Sequence, residues 1–280
     1  MKPNRLFRNA MVATAILSLL SMTSQAIADG HGKHSESNPG SVCQGYAGQT
    51  PRDIDSKAGS NSVVFDLAPP SSEMNLCNIH FHANAEHKAK DFAIYAGDGQ
   101  DGYGSGYQCG ISKSLTEAEL KAPSNEVCKG LKPGDTIEVH WVHTSCDVSP
   151  GPGLGSCLSE ACANPDLRVE TQVFTLVNDD GALNFNDLSY QGNQQNGFHQ
   201  AKGLPDTTGI PVEFMGSTTG PKYSEQACSP LQVTWSVRPQ CAKLNINTIG
   251  KWCESNVFKE NKAHGVRKLV TDARLLAPIK

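Results

Sequence analysis

"NIHFHANAEH", residues 78–87, places three of the chain's nine histidines and a glutamate in one short stretch. The surrounding "NLCNIHFH" (75–82) is rich in β-branched and aromatic residues, which predicts a strand. On a strand, residues two apart share a face. His80 and His82 therefore project together, with Phe81 on the opposite side. Two imidazoles one pleat apart make half of a metal site. A catalytic zinc takes nitrogens at about 2.0–2.1 Å from three protein ligands and keeps a fourth position open. "IEVHWVH" (137–143) supplies the candidates for the third, His140 and His143. As a strand it puts Glu138, His140 and Val142 on one face and Val139, Trp141 and His143 on the other, so one of the two histidines joins the metal face. Metal-bound histidines need an acceptor for the far ring nitrogen. Glu138 stands two residues before His140 and Asn78 two before His80, which favours His140.

Strand patterns extend along the rest of the chain. "SVVFDLA" (62–68), "DFAIYAG" (91–97), "DTIEVHWVHTS" (135–145), "TQVFTLVN" (171–178), "GIPVEFMG" (209–216) and "LQVTWSVR" (231–238) are short and bounded by Gly, Pro, Asn or Asp. Helical periodicity is rare. "SLTEAELKA" (114–122) predicts two turns with Ser114 as N-cap, and "VRKLVTDARLLA" (266–277) reads either way. The expectation is one mostly β domain over residues 43–280, built on a large mixed, mainly antiparallel sheet, with few short helices and no internal repeat. "GDGQDGYGSGYQCG" (97–110) lacks the ligand spacing of a calcium loop. It reads as a disulfide-pinned surface loop, as does "SCDVSPGPGLGSCLSEAC" (145–162).

Residues 1–28 have the pattern of a secretory signal peptide: Lys2, Arg5 and Arg8, an apolar run, then small residues at Ala26 and Ala28. That run is shorter than the ~20 residues of a membrane span. Residues 29–42, "DGHGKHSESNPGSV", read as a flexible polar tail in which His31 and His34 are solvated. Removing the leader takes three basic residues from a chain of formal charge −4. A chain of that acidic balance, with 6% aromatics over its full length, argues against nucleic acid as a partner class. No later stretch is apolar enough to span a membrane, and the leader makes the periplasm or the exterior the expected compartment. Ten cysteines without a single C-x-x-C, in a chain with a leader, predict disulfides rather than thiolate metal sites. The sequence carries no signal for an oligomeric state.

"NIHFH…AEH…EVHWVH" resembles the active-site strands of the alpha-class carbonic anhydrases. "GYAGQTPRDI" (45–54) and "FMGSTTGP…QVTWSV" (214–237) are similar to further stretches of that family. "HFHANAEHKAKDF", a long cysteine-rich insertion and the tail "ENKAHGVRKLV" resemble the delta class more closely. The resemblance covers about a third of the chain beyond the leader. It implies an alpha-carbonic-anhydrase-like fold and a zinc ion on His80, His82 and His140, with cobalt or cadmium as substitutes. It further implies reversible hydration of carbon dioxide to bicarbonate by a zinc-bound hydroxide. Thr218, or its neighbour Thr219, would orient that hydroxide and bond to Glu86. Val142, Val233 and Trp235 would form an apolar wall for carbon dioxide. The family's histidine shuttle has no counterpart between residues 55 and 79. His87 is the substitute considered first, with His143, His199 and His264 behind it. The resemblance also pairs Cys43 with Cys228. Two other classes fit the histidines alone: an exported, non-catalytic zinc-binding protein, and a copper redox protein, which would need more histidines at the site.

Overall fold

A computed structural model describes residues 42–99, 103–124, 127–220, 222–267 and 270–280. The expected leader, and the expected tail up to residue 41, lie outside the described residues. Six strands form the main sheet: β1 (Asn75–Ala83), β2 (Thr136–Thr144), β3 (Leu167–Val177), β4 (Val212–Ser217), β5 (Gln232–Val237) and β6 (Ala242–Asn245). Their spatial order is β1-β2-β3-β5-β4, with β6 also pairing β3. β1/β2, β2/β3 and β5/β4 are antiparallel, while β5 and β6 both run parallel to β3. β5 pairs with Arg168–Thr171 and β6 with Phe174–Val177, so the two short strands lie end to end along one edge of the long one. Pro239, which has no amide hydrogen to donate, sits in the gap between them. The mostly β class with a large mixed sheet is what the strand patterns predict.

Both faces of the central strands are covered, and β2 and β3 are buried at every position. One face carries Ile79, Phe81, Val139, Trp141 and Phe174 into the larger core. The other carries Val142, Val169, Val173, Phe214, Val233 and Trp235. The first core is closed by helix α2 (Ile246–Glu254), which follows helix α1 (Glu117–Leu120) in the chain. In α2 the Asn245 side chain caps the Asn247 amide, and Ile246, Ile249, Trp252 and Cys253 face inward. Sequence reasoning passed over α2. The Asn cap and the apolar spacing were its signal, in a segment of nine residues interrupted by Gly250.

All ten cysteines are paired: Cys43–Cys228, Cys77–Cys157, Cys109–Cys241, Cys128–Cys253 and Cys146–Cys162. Among the described residues no helix is long and apolar enough to cross a membrane.

Several local expectations are corrected. Residues 62–68 form no strand. Val63, Val64 and Leu67 are exposed, and the segment lies across the sheet through side-chain contacts, the Phe65 amide on Met215 Sδ and the Ala68 amide on Thr234 Oγ1. Bonds of that kind satisfy a backbone without a ladder. Residues 91–97 contribute only Ile94–Tyr95, paired with Tyr107–Gln108. Helix α1 has one turn, and its N-cap is Thr116, which exchanges hydrogen bonds with Glu119 in a capping box. Of residues 266–277, Val266–Arg267 pair with Tyr103–Gly104, and no helix forms among the described remainder.

Candidate metal centre

The antiparallel register of β1 and β2 sets His80 directly opposite His140, and His82 opposite Glu138. Ring centroids of the three histidines are 5.3 Å (80–82), 5.0 Å (80–140) and 4.9 Å (82–140) apart. Each offers a nitrogen within 4.8 Å of the others. His143, on the opposite face as the alternation requires, bonds through Nδ1 to the Trp141 carbonyl.

Every far nitrogen of the trio has an acceptor. His80 Nδ1 donates to Asn78 Oδ1 at 2.7 Å. His140 Nε2 donates to Glu138 Oε1 at 2.6 Å. His82 Nδ1 donates to the Gly265 carbonyl at 3.3 Å. These bonds choose the tautomers and leave lone pairs on His80 Nε2, His82 Nε2 and His140 Nδ1. His80 Nε2 and His140 Nδ1 then face each other at 3.3 Å, two acceptors with no proton between them. Two nitrogens on a tetrahedral zinc at about 2.0–2.1 Å stand roughly 3.3–3.4 Å apart. The donor set therefore fits a small dication. Protonation is the poor alternative. Burial, then the neighbouring His140 and His82, push His80 well below its ordinary value, and burial takes His82 down to about 4.

Glu138 is the hub behind the trio. It is fully buried, accepts from His140, and takes two further bonds from His87, one from the ring Nδ1 at 2.7 Å and one from the backbone amide at 2.9 Å. Burial opposes its ionisation; His87 and His140 more than offset that and hold the carboxyl well below the usual range. His87, the first shuttle candidate, does not line the cavity. Its ring is fully buried, fixed on Glu138 and packed 4.8 Å from Trp235. His199 is also occupied, its ring bonded to Tyr190. Of the shuttle candidates, His264 reaches the cavity, partly exposed, with Nε2 on Glu260 Oε2 at 2.8 Å.

The histidines open onto a cavity of about 450 Å³. Val142, Val169, Val233 and Trp235 line one side, with Leu154 and Leu231 nearer the loops. This wall follows from the register, since Val142, Val169, Trp235 and Phe214 form one cross-strand row adjacent to the His80–His140 row. Thr218 and Thr219 also line the cavity. The expected Thr218–Glu86 bond is not made. Thr218 Oγ1 pairs instead with Ser229 Oγ at 2.7 Å. Glu86 is fully buried, with neither oxygen hydrogen-bonded, and Oε2 lies 3.5 Å from His82 Nδ1. Burial raises its pKa, but His82 and Arg52 outweigh that and keep it ionised.

Ser229 and the Gly265 carbonyl were missed from sequence. The first is an ordinary serine beside Cys228, and the second is a backbone atom, so neither carries a residue-type signal.

Three tautomer-locked histidines beside an apolar wall are a three-nitrogen donor set that can hold a metal ion. Residues 71–248 match the delta carbonic anhydrase family, and the chain belongs to it. No curated protein matches the chain. Among solved structures it is similar to an alpha-carbonic anhydrase from Photobacterium profundum, with 17% identity over 80% of this chain and 86% of that one, at a TM-score of 0.26. It is similar also to the alpha-carbonic anhydrase of Thermovibrio ammonificans, in complex with the inhibitor sulfanilamide, with 17% identity, 80% and 87% coverage and a TM-score of 0.24. Those scores are too low for either likeness to carry an argument.

Proposed function

We propose that the chain is a zinc carbonic anhydrase, exported through its leader, that hydrates carbon dioxide reversibly to bicarbonate and a proton. The observation that carries this reading is the pair of lone pairs facing each other on His80 and His140, with His82 beside them and an apolar wall alongside. His80 Nε2, His82 Nε2 and His140 Nδ1 would hold the metal. When bound, zinc supplies a Lewis acid that brings the pKa of water to about 7.

The protein's own residues supply the rest. Asn78, Glu138 and the Gly265 carbonyl hold the three tautomers, so no ligand reorients when the site is filled. Val142, Val233 and Trp235 offer an apolar substrate a dry surface beside the histidines. Thr218, anchored on Ser229 rather than Glu86, presents a hydroxyl to the cavity and orients the attacking oxygen. Glu86 places a buried negative charge behind His82. Cobalt and cadmium accept the same nitrogens.

The test is carbon dioxide hydration by stopped flow on the purified chain, with metal content measured on the same sample and on His82→Ala. Hydration with about one zinc per chain, both lost in the variant, is the expected result. Stoichiometric zinc without hydration would establish the non-catalytic zinc-binding reading instead.

A further inference from the structure

The cavity wall contains a disulfide placed against a metal ligand's support. Cys77 is the extra residue of a bulge in β1: Leu76 pairs with His143 and Asn78 with Val142, leaving Cys77 unmatched. It is bonded to Cys157, which lines the cavity. The loop between Gly151 and Cys157 is clamped on that bulge. The Gly151 amide donates to the Cys77 carbonyl at 3.0 Å. Ser156 Oγ sits among three carbonyls that share its single proton, 2.7 Å from Gly153, 2.9 Å from Cys77 and 3.0 Å from Gly151, which draws the loop onto the bulge.

The Gly151 carbonyl accepts from Asn78 Nδ2 at 3.1 Å. An amide that gives its NH2 to a carbonyl on one side must turn its oxygen to the other. That oxygen receives His80 Nδ1–H. The chain of cause runs from disulfide to loop, to the Gly151 carbonyl, to the Asn78 rotamer, to the His80 tautomer. Without Gly151, Asn78 is free to turn its NH2 toward His80. His80 Nδ1 would then accept, and its proton would move to Nε2, the nitrogen the metal needs.

We infer that the Cys77–Cys157 disulfide and the 151–157 loop are a positioning element for the metal centre, acting through Asn78 on His80. This rests on the metal-centre reading above. It makes tight metal binding depend on formation of one particular disulfide, so the chain acquires its full affinity only after oxidation.

The experiment measures zinc affinity by competition with a chromophoric chelator, together with the visible spectrum of the cobalt-loaded protein. It compares the parent, Asn78→Ala, the paired Cys77→Ala/Cys157→Ala variant, all three substitutions combined, and Cys146→Ala/Cys162→Ala as a disulfide control. Asn78→Ala and the Cys77/Cys157 pair are each expected to weaken zinc about 10–100-fold and to alter the cobalt spectrum, with the control unchanged. The combination should be no weaker than Asn78→Ala alone, within about twofold, because both act through one bond. A folded Cys77/Cys157 variant with parental affinity, or losses that multiply in the combination, would overturn the inference. If the paired variant does not fold, Ser156→Ala decides: weaker zinc at an unchanged melting midpoint supports the inference, and parental affinity refutes it. A parent that holds no zinc would sink the underlying metal-centre reading as well, which separates the two failures.

Discussion

Glu138→Gln tests the hub of the site with one oxygen exchanged for an NH2 group. The carboxylate accepts three bonds: Oε1 takes both His87 Nδ1 and His140 Nε2, and Oε2 takes the His87 amide. A glutamine cannot accept all three. If its NH2 faces the His87 amide, two donors confront each other in a fully buried site. If its NH2 faces the rings, His140 Nε2 must accept, and its proton moves to Nδ1, the nitrogen facing His80. A buried group left unpaired costs about 1–3 kcal/mol, and bonds to a charged group contribute about 1.5–3 each. The metal-free variant should therefore lose about 2–3 kcal/mol of stability. At roughly 2–4 °C per kcal/mol for a chain of this size, its melting midpoint falls by about 4–12 °C. Zinc affinity should fall about 10–100-fold. Calorimetry on metal-free protein and chelator competition read the two effects separately. A variant that melts with the parent and binds zinc within about twofold of it would refute the role assigned to Glu138.

Three further outcomes follow from the same geometry. Val142→Phe fills the wall beside His80 and should cut hydration at least about tenfold; because Val142 lies directly opposite Asn78, zinc affinity measured on the same variant separates a blocked substrate surface, which leaves it within about twofold, from a displaced His80 acceptor, which lowers it. Burial lowers His143 to about 4. Between there and its unfolded value near 6.5, the unfolded chain binds the extra proton, so stability rises with pH across that window and is lost as pH falls toward 4. The contribution is about 3 kcal/mol, and His143→Gln should flatten the slope in pH-dependent melting of metal-free protein; an identical slope would count against it. Replacing Cys43 and Cys228 by alanine removes a link spanning 185 residues and should cost about 2–5 kcal/mol in denaturant unfolding.

Much of the sheet was legible because strand alternation is a local property. His80 with His82, and Glu138 with His140, need only the two-residue period to share a face, and their neighbours Phe81 and Trp141 fill the opposite core. The register that sets His80 against His140 is non-local, and no single-strand pattern contains it. Residues 62–68 misled because β-branched composition measures fitness for a half-buried pleat, and this segment crosses the sheet on side-chain contacts to Met215 and Thr234 without pairing with either strand. Thr218 and Glu86 were drawn together by resemblance alone. Among this chain's own residues, the partner of Thr218 is Ser229.

The acceptor for His82 comes from Gly265, 183 positions further along, while His80 and His140 are 60 apart. Closing such long loops adds only about 0.6 kcal/mol per doubling of length, so the expense lies in time rather than in stability. Contacts of high sequence separation form slowly. A nascent chain that has released β1 and β2 but not residue 265 presents His82 with its Nδ1 unclaimed. If the three histidines hold a metal, that site is complete only once the chain around residue 265 has packed beside β1, and a tightly filled site would report that it has.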